Sequence, residues 1–228
     1  MEQTQQNKFL IPLAIVVAGT LIAGAIYFGG GTTVSTNTDT GPGETEVTPV
    51  NEKDHVLGSR SAELFIIEYS DTECPFCKSF HGTMKQVLQT YGSRVAWVYR
   101  HLPIPQLHAR AIKEAEATEC AAEQGGNTAF WRYIDEVFDR TSSNDSLDPK
   151  ELPKIAADIG LDVAAFNTCL NSGKYEEQIK KSIEEGYNAG ARGTPYSVIV
   201  DQNGEVKDVI NGAEPLELVK TKIDALLK

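Results

Sequence analysis

Two cysteines spaced by two residues, Cys74 and Cys77, stand in the run Ile66-Ile67-Glu68-Tyr69-Ser70-Asp71-Thr72-Glu73-Cys74-Pro75-Phe76-Cys77. A thiolate attacks a disulfide sulfur through a mixed disulfide, and a second nearby thiol can then release the partner. The pair therefore suits thiol–disulfide exchange. That chemistry asks for a first thiol that is both exposed and activated, and a helix N-terminus supplies unpaired amides and a positive dipole end. The competing reading is half of a structural zinc site, with His81 four residues after Cys77 as a conceivable ligand. Forty-two residues separate Cys77 from Cys120 and 48 separate Cys120 from Cys169, so no second Cys-x-x-Cys completes a zinc knuckle. No metal and no other cofactor is expected.

The elements that must position the pair follow from the pattern. Residues 62–69 read as a buried strand and 75–91 as a helix, so the cysteines fall at a strand-to-helix turn. Residues 95–99 form a second strand, closed by Pro103 and Pro105. This is a βαβ unit with parallel strands and a right-handed crossover. A helical block follows: 108–124, 128–140, a helix opened by Asp148-Pro149-Lys150-Glu151 and stopped at Gly160, one capped by Asp162, and one over 173–189. Residues 196–201 and 205–210 flank Gln202-Asn203-Gly204, a strong hairpin signal, and 215–227 closes the chain as an amphipathic helix. The order is an α/β sandwich carrying a helical insertion at about 104–189.

Ahead of this domain, Phe9 to Phe28 is a 20-residue run without a charged side chain. That is the length needed to cross a bilayer as a helix. A cleavable signal peptide is the rival, because Ala23-Gly24-Ala25 fits a small-residue cleavage site. The run continues through Ile26-Tyr27-Phe28, as a membrane span would, and the anchor reading is preferred. Lys8 precedes the span and no Lys or Arg follows it until Lys53, which favours a cytoplasmic tail over residues 1–8. Residues 29–53 read as a linker, and the folded domain as 54–228. Either way the domain is exported, into a periplasm or to the cell surface.

The net charge of −11 argues against nucleic acid as a partner, and no basic phosphate-binding stripe is visible in the sequence. In an oxidising compartment Cys120 and Cys169 are expected to pair as a structural disulfide; two buried free thiols are the alternative. His55, His101 and His108 carry no chemistry in this reading, and Trp97 and Trp131 belong to the core.

The strand–Cys-x-x-Cys–helix, the later Gly193-Thr194-Pro195 and the terminal hairpin with its helix resemble the thioredoxin fold. The inserted helices resemble the DsbA-like branch, the exported dithiol oxidases of bacteria. Smaller signatures agree: Arg100-His101-Leu102-Pro103, Cys120-Ala121 with Glu123-Gln124, and Phe130-Trp131. The resemblance implies Cys74 as the exposed nucleophile and Cys77 as the resolving thiol. It implies a cis-proline loop at Thr194-Pro195 which, with Pro75 and Phe76, would face a substrate chain. Glu68, six residues before Cys74, matches the family's buried acid, thought to help move protons. It further implies exported protein substrates with free thiols and a membrane redox partner that reoxidises the dithiol. The domain is expected to act as a monomer.

Direction is the less determined part. Phe76 stands where the best-known oxidases carry histidine, so it lends no positive charge. Glu73 and Asp71 oppose a Cys74 thiolate by their place in the sequence, and Lys78 favours it. The expectation is an oxidase milder than the Pro-His enzymes. The alternatives are a reductase or isomerase of exported disulfides and a membrane-anchored copper chaperone. Isomerases commonly carry a dimerisation domain, and such chaperones typically use Cys-x-x-x-Cys with a histidine; neither feature is seen.

Overall fold

The computed structural model describes residues 47–227. The expected membrane anchor, the cytoplasmic tail and most of the linker lie outside the described residues. Among the described residues no helix is long and apolar enough to cross a membrane.

Five strands form one sheet in the order β1-β3-β2-β4-β5. The strands are β1 (His55–Leu57), β2 (Leu64–Ser70), β3 (Val95–His101), β4 (Tyr196–Asp201) and β5 (Val206–Asn211). β2 and β3 run parallel, in register from Leu64 opposite Val95 to Ser70 opposite His101. β4 joins the other edge of β2 antiparallel, and β5 joins β4 antiparallel. The expected βαβ unit and hairpin are therefore both present. β1 is an addition: it pairs antiparallel with β3, and three residues are too short for an alternating pattern to show in sequence. Val47 and Val50 also pack on the core, so the fold begins before residue 54 and the linker ends earlier than its composition suggested.

Both central strands are buried throughout. Side chains alternate between faces along a strand. Leu64, Ile66, Val95 and Trp97 meet α1 (Pro75–Tyr91) and α6 (Leu216–Leu226) on one face. Phe65, Ile67, Ala96 and Val98 build a second core on the other face with Ala189 and Ala191. There α5 (Glu176–Asn188) comes so close that a Cβ on Gly186 would lie 3.0 Å from Tyr69 Cδ1.

The insertion consists of α2 (Ala111–Arg140), α3 (Glu151–Asp158), α4 (Val163–Ser172) and α5. The two helices read over 108–140 are both present within α2 and meet at a kink at Gly126, whose φ of 63° and ψ of −158° leave helical space. Asp162 caps α4 as expected, its carboxylate accepting from the Ala164 and Ala165 amides. Asp148 instead organises the turn before α3, accepting from the Lys150 amide, so that helix starts later than the capping pattern indicates. Tyr133, Leu152, Ile155, Phe166 and Leu170 form a third core, and within it Cys120 and Cys169 are joined as a disulfide with Cα atoms 5.8 Å apart.

Candidate active site

Cys74 is the N-cap residue of α1, with Pro75 opening the helix. Ser, Asp or Asn usually fills that place so that a side-chain oxygen can accept from the free amides. Here a cysteine stands in that place, and its side chain makes no capping hydrogen bond. The thiol is shifted down from 9.0 to about 6, chiefly by hydrogen bonding from the Cys77 thiol, with help from Thr194 and from the Phe76 and Cys77 amides against the opposing effect of burial. As a thiol, Cys74 donates to the Thr194 carbonyl at 3.4 Å. The Thr194 hydroxyl has no other partner and is free to serve the thiolate.

Cys77 sits one turn inside and is fully buried. Burial pushes its thiol well up, and the negative charges of Cys74 and Glu68 add to that. Its sulfur accepts from the Asp71 amide at 3.4 Å. The expectation of an exposed Cys74 needs correction, because the residue is only 5% exposed. The Thr194-Pro195 loop, joined by a cis peptide bond, covers it, while neighbouring Phe76 stands 65% exposed.

Glu68 lies in the middle of β2, buried, on the face that carries Trp97 and the α1 core. Desolvation raises its carboxyl to about 7, and the nearby Ser70 hydroxyl and Trp97 indole moderate the rise. Neither reaches good hydrogen-bond geometry, so both carboxyl oxygens are unpartnered. The structure thus brings Cys74, Cys77, Glu68, Thr194 and Pro195 together, while the Cys120–Cys169 disulfide lies apart in the insertion core.

The charged turn before Cys74 behaves differently from its reading in sequence. Asp71, Thr72 and Glu73 are all buried. Asp71 accepts from the Glu73 amide, the Ile104 amide and His108 Nδ1. Thr72 donates to Glu114, whose carboxyl is held up at about 9 by burial and by the facing Glu73. Glu73 turns into the insertion and accepts from the Thr141 hydroxyl at 3.0 Å and from the Ser146 and Leu147 amides at 3.3 Å. Lys78 likewise donates to the Thr141 carbonyl. The opposition to the thiolate expected from Glu73 and Asp71 is therefore much weaker than their sequence positions imply.

Sequence reasoning missed His108. Burial works against its charge, but the Asp71 carboxylate more than compensates and raises its pKa, with Cys74 contributing. The signal available was Asp71 itself, an acid just outside a buried strand that needed a partner. His81 joins no metal site: it meets Asp135 at 2.6 Å and packs against Trp97 and Phe138. Among the described residues no cluster of metal-ligating side chains occurs.

A low-pKa thiol backed by a high-pKa partner, on this sheet and beside this loop, defines the class as a thioredoxin-fold dithiol protein. Residues 50–221 match the family model described as Thioredoxin. Pseudomonas aeruginosa DsbA2 superimposes with a TM-score of 0.64 at 30% identity, covering 79% of this chain and 97% of that one. Wolbachia pipientis alpha-DsbA1 gives 0.68 at 24% identity over 81% and 96%, a likeness of fold. The chain belongs to the thioredoxin family, in its DsbA-like branch. A curated relative from Salinispora tropica, Na(+)/H(+) antiporter NhaA 3, is 35% identical over 144 residues, 63% of this chain and 21% of its own length. One from Mycolicibacterium vanbaalenii, Na(+)/H(+) antiporter NhaA 1, is 32% identical over 63% and 23%. The chain spans about a fifth of these relatives' length.

Proposed function

We propose that this protein introduces disulfides into exported proteins by exchange at Cys74-Pro75-Phe76-Cys77, tethered to the membrane by residues 9–28. The observation that carries the reading is the split between the two thiols. Cys74 is drawn down to about 6 and Cys77 is pushed well up, so at neutral pH the outer sulfur is thiolate and the inner one is thiol. Stabilising the reduced form in this way favours passing the disulfide on to a substrate. Glu68 acts as the proton store for Cys77, and Thr194-Pro195 with Pro75 and Phe76 receives the substrate chain. A separate membrane protein reoxidises the dithiol.

The site also supports a direction. Relative to a thiol titrating near 7, one titrating near 6 stabilises the reduced form at pH 7 by about 1 kcal/mol, or about 20 mV in potential. The test is the reduction potential of the Cys74–Cys77 couple against glutathione, with Cys120–Cys169 intact. A value above that of thioredoxin, about −270 mV, supports an oxidase; a value at or below it makes the protein a reductase of exported disulfides.

A further inference from the structure

The turn between β2 and α1 meets the insertion through two acids that face each other in the interior. Glu73 immediately precedes the nucleophile, Glu114 lies in the first turn of α2, and both are buried. Their carboxyl groups are hydrogen-bonded to one another, which requires a proton between them. Glu114 has a second partner on the same turn, the Thr72 hydroxyl, which donates to its Oε2 at 2.7 Å. The helix dipole ordinarily favours a first-turn acid as carboxylate. Here burial and the facing Glu73 overrule the dipole and hold the Glu114 carboxyl at about 9, so it is neutral at pH 7.

Glu73 needs that proton. The Thr141 hydroxyl donates to it at 3.0 Å, but the Ser146 and Leu147 amides stand at 3.3 Å, beyond the usual range for an N–H donor. Among the described residues no ion pair reaches Glu73 or Glu114, and Lys78 is turned to the Thr141 carbonyl. A carboxylic acid donating to a carboxylate makes one of the stronger hydrogen bonds, so Glu114 is the principal partner of the buried Glu73 charge.

We propose that Glu114 is a positioning residue for Cys74: as a neutral acid it bridges Thr72 and Glu73, clamps the turn that carries the nucleophile and keeps the Glu73 charge turned away from the sulfur. The proposal rests on Cys74 as the nucleophile of the exchange. From the turn, Thr72, Glu73 and Asp71 face the Glu114 carboxyl; from the second half of α2, Tyr133 does. Asp71 is itself bonded to His108. Without the bridge the Glu73 carboxylate loses its main partner, and a freed negative charge beside Cys74 disfavours the thiolate. Ionising Glu114 acts in the same sense, because two carboxylates facing each other in the interior repel.

The experiment measures the rate of Cys74 alkylation by iodoacetamide from about pH 5 to about pH 10 in the full chain carrying Cys77→Ser, where Cys120–Cys169 stays paired and Cys74 is the free thiol. The rate is expected to rise first close to 6, as Cys74 ionises, and again by about twofold near 9, as Glu114 ionises and leaves a more basic, more nucleophilic thiolate. Glu114→Gln keeps an acceptor for Thr72 and a donor for Glu73, so the first rise stays within about 0.3 unit and the second disappears. Glu114→Ala moves the first rise up by about 0.5–1 unit. The same substitution made beside Glu73→Gln moves it by less than about 0.2 unit, a coupling that a merely structural role would not produce. With Cys77 restored, Glu114→Ala shifts the equilibrium with glutathione about 3–5-fold toward the protein disulfide at pH 7. An unmoved first rise in Glu114→Ala, an equal shift with and without the Glu73 charge, or a second rise that survives Glu114→Gln overturns the proposal. If Glu114→Ala does not fold, the glutamine profile decides alone: loss of the second rise supports the clamp and its survival overturns it. A parent whose first rise lies near 9.0 defeats the assignment of Cys74 as the activated nucleophile, and the proposal with it.

Discussion

Replacing Cys77 by alanine tests the origin of the Cys74 thiolate directly. Cys74 drops from 9.0 to about 6, and the largest contribution is the hydrogen bond from the Cys77 thiol. The full shift corresponds to about 4 kcal/mol of preference for the thiolate. A hydrogen bond to a charged group contributes about 1.5–3 kcal/mol, so its removal raises the midpoint by about 1–2 units, to about 7–8. The thiolate fraction at pH 7 then falls from about 0.9 to about 0.5 or less. Cys77→Ser keeps a donor at the same place and stays within about half a unit of the parent. The assay is the far-ultraviolet thiolate absorbance against pH, cross-checked by the rate of alkylation with iodoacetamide. An unchanged midpoint in Cys77→Ala would assign the whole effect to the helix amides and Thr194. An equal rise in the serine and alanine variants would mean that packing, not donation, sets the value.

Glu68→Gln separates burial from partnership: the folded carboxyl titrates at about 7 against 4.5 when unperturbed, so the unfolded chain releases its proton first and stability falls as pH rises through that window. Urea unfolding is expected to show the variant more stable by up to about 3 kcal/mol at pH 8 and little changed at pH 4, and an equal gain at both values refutes desolvation as the cause. His108→Gln removes a cation that faces the thiolate without bonding it, and the Cys74 midpoint should rise by less than about 1 unit; no rise would return His108 to a purely structural role. Replacing Cys120 and Cys169 together by alanine opens a loop of 49 residues and should cost up to about 4 kcal/mol in urea unfolding, while leaving the Cys74 titration where it was.

Sequence alone revealed those features that depend on local pattern. The strand before Cys74 was readable because Leu64 to Ile67 is a continuous apolar run, and the hairpin because Asn203-Gly204 interrupts two β-rich segments. The site was readable where spacing carries it, as with Cys74 and Cys77. What sequence could not supply was side-chain direction. Glu73 adjoins Cys74 in the chain, yet its carboxylate points into the loop 68–74 residues further on. His108 looked idle because its partner, Asp71, is 37 residues away.

Those non-local ties change what the insertion is for. Three consecutive polar residues carry the chain from β2 to Cys74, and each is tied to a different part of the polypeptide beyond β3. Asp71 holds Ile104 and His108, Thr72 holds Glu114, and Glu73 holds Thr141, Ser146 and Leu147. The return ties run the same way: the Asn144 amide donates to the Glu73 carbonyl, and Asp145 accepts from the Ala109 and Arg110 amides. Ser143, Asn144 and Asp145 all have φ between 56° and 68°, a left-handed stretch that non-glycine residues hold only when their surroundings over-determine it. The brace therefore works in both directions, fixing the turn that aims Cys74 and committing two nearby acids to neutral or hydrogen-bonded partners. A sequence that seemed to surround its nucleophile with opposing charge in fact turns that charge away, and the Cys77 thiol, helped by Thr194 and the helix amides, is left to stabilise the thiolate.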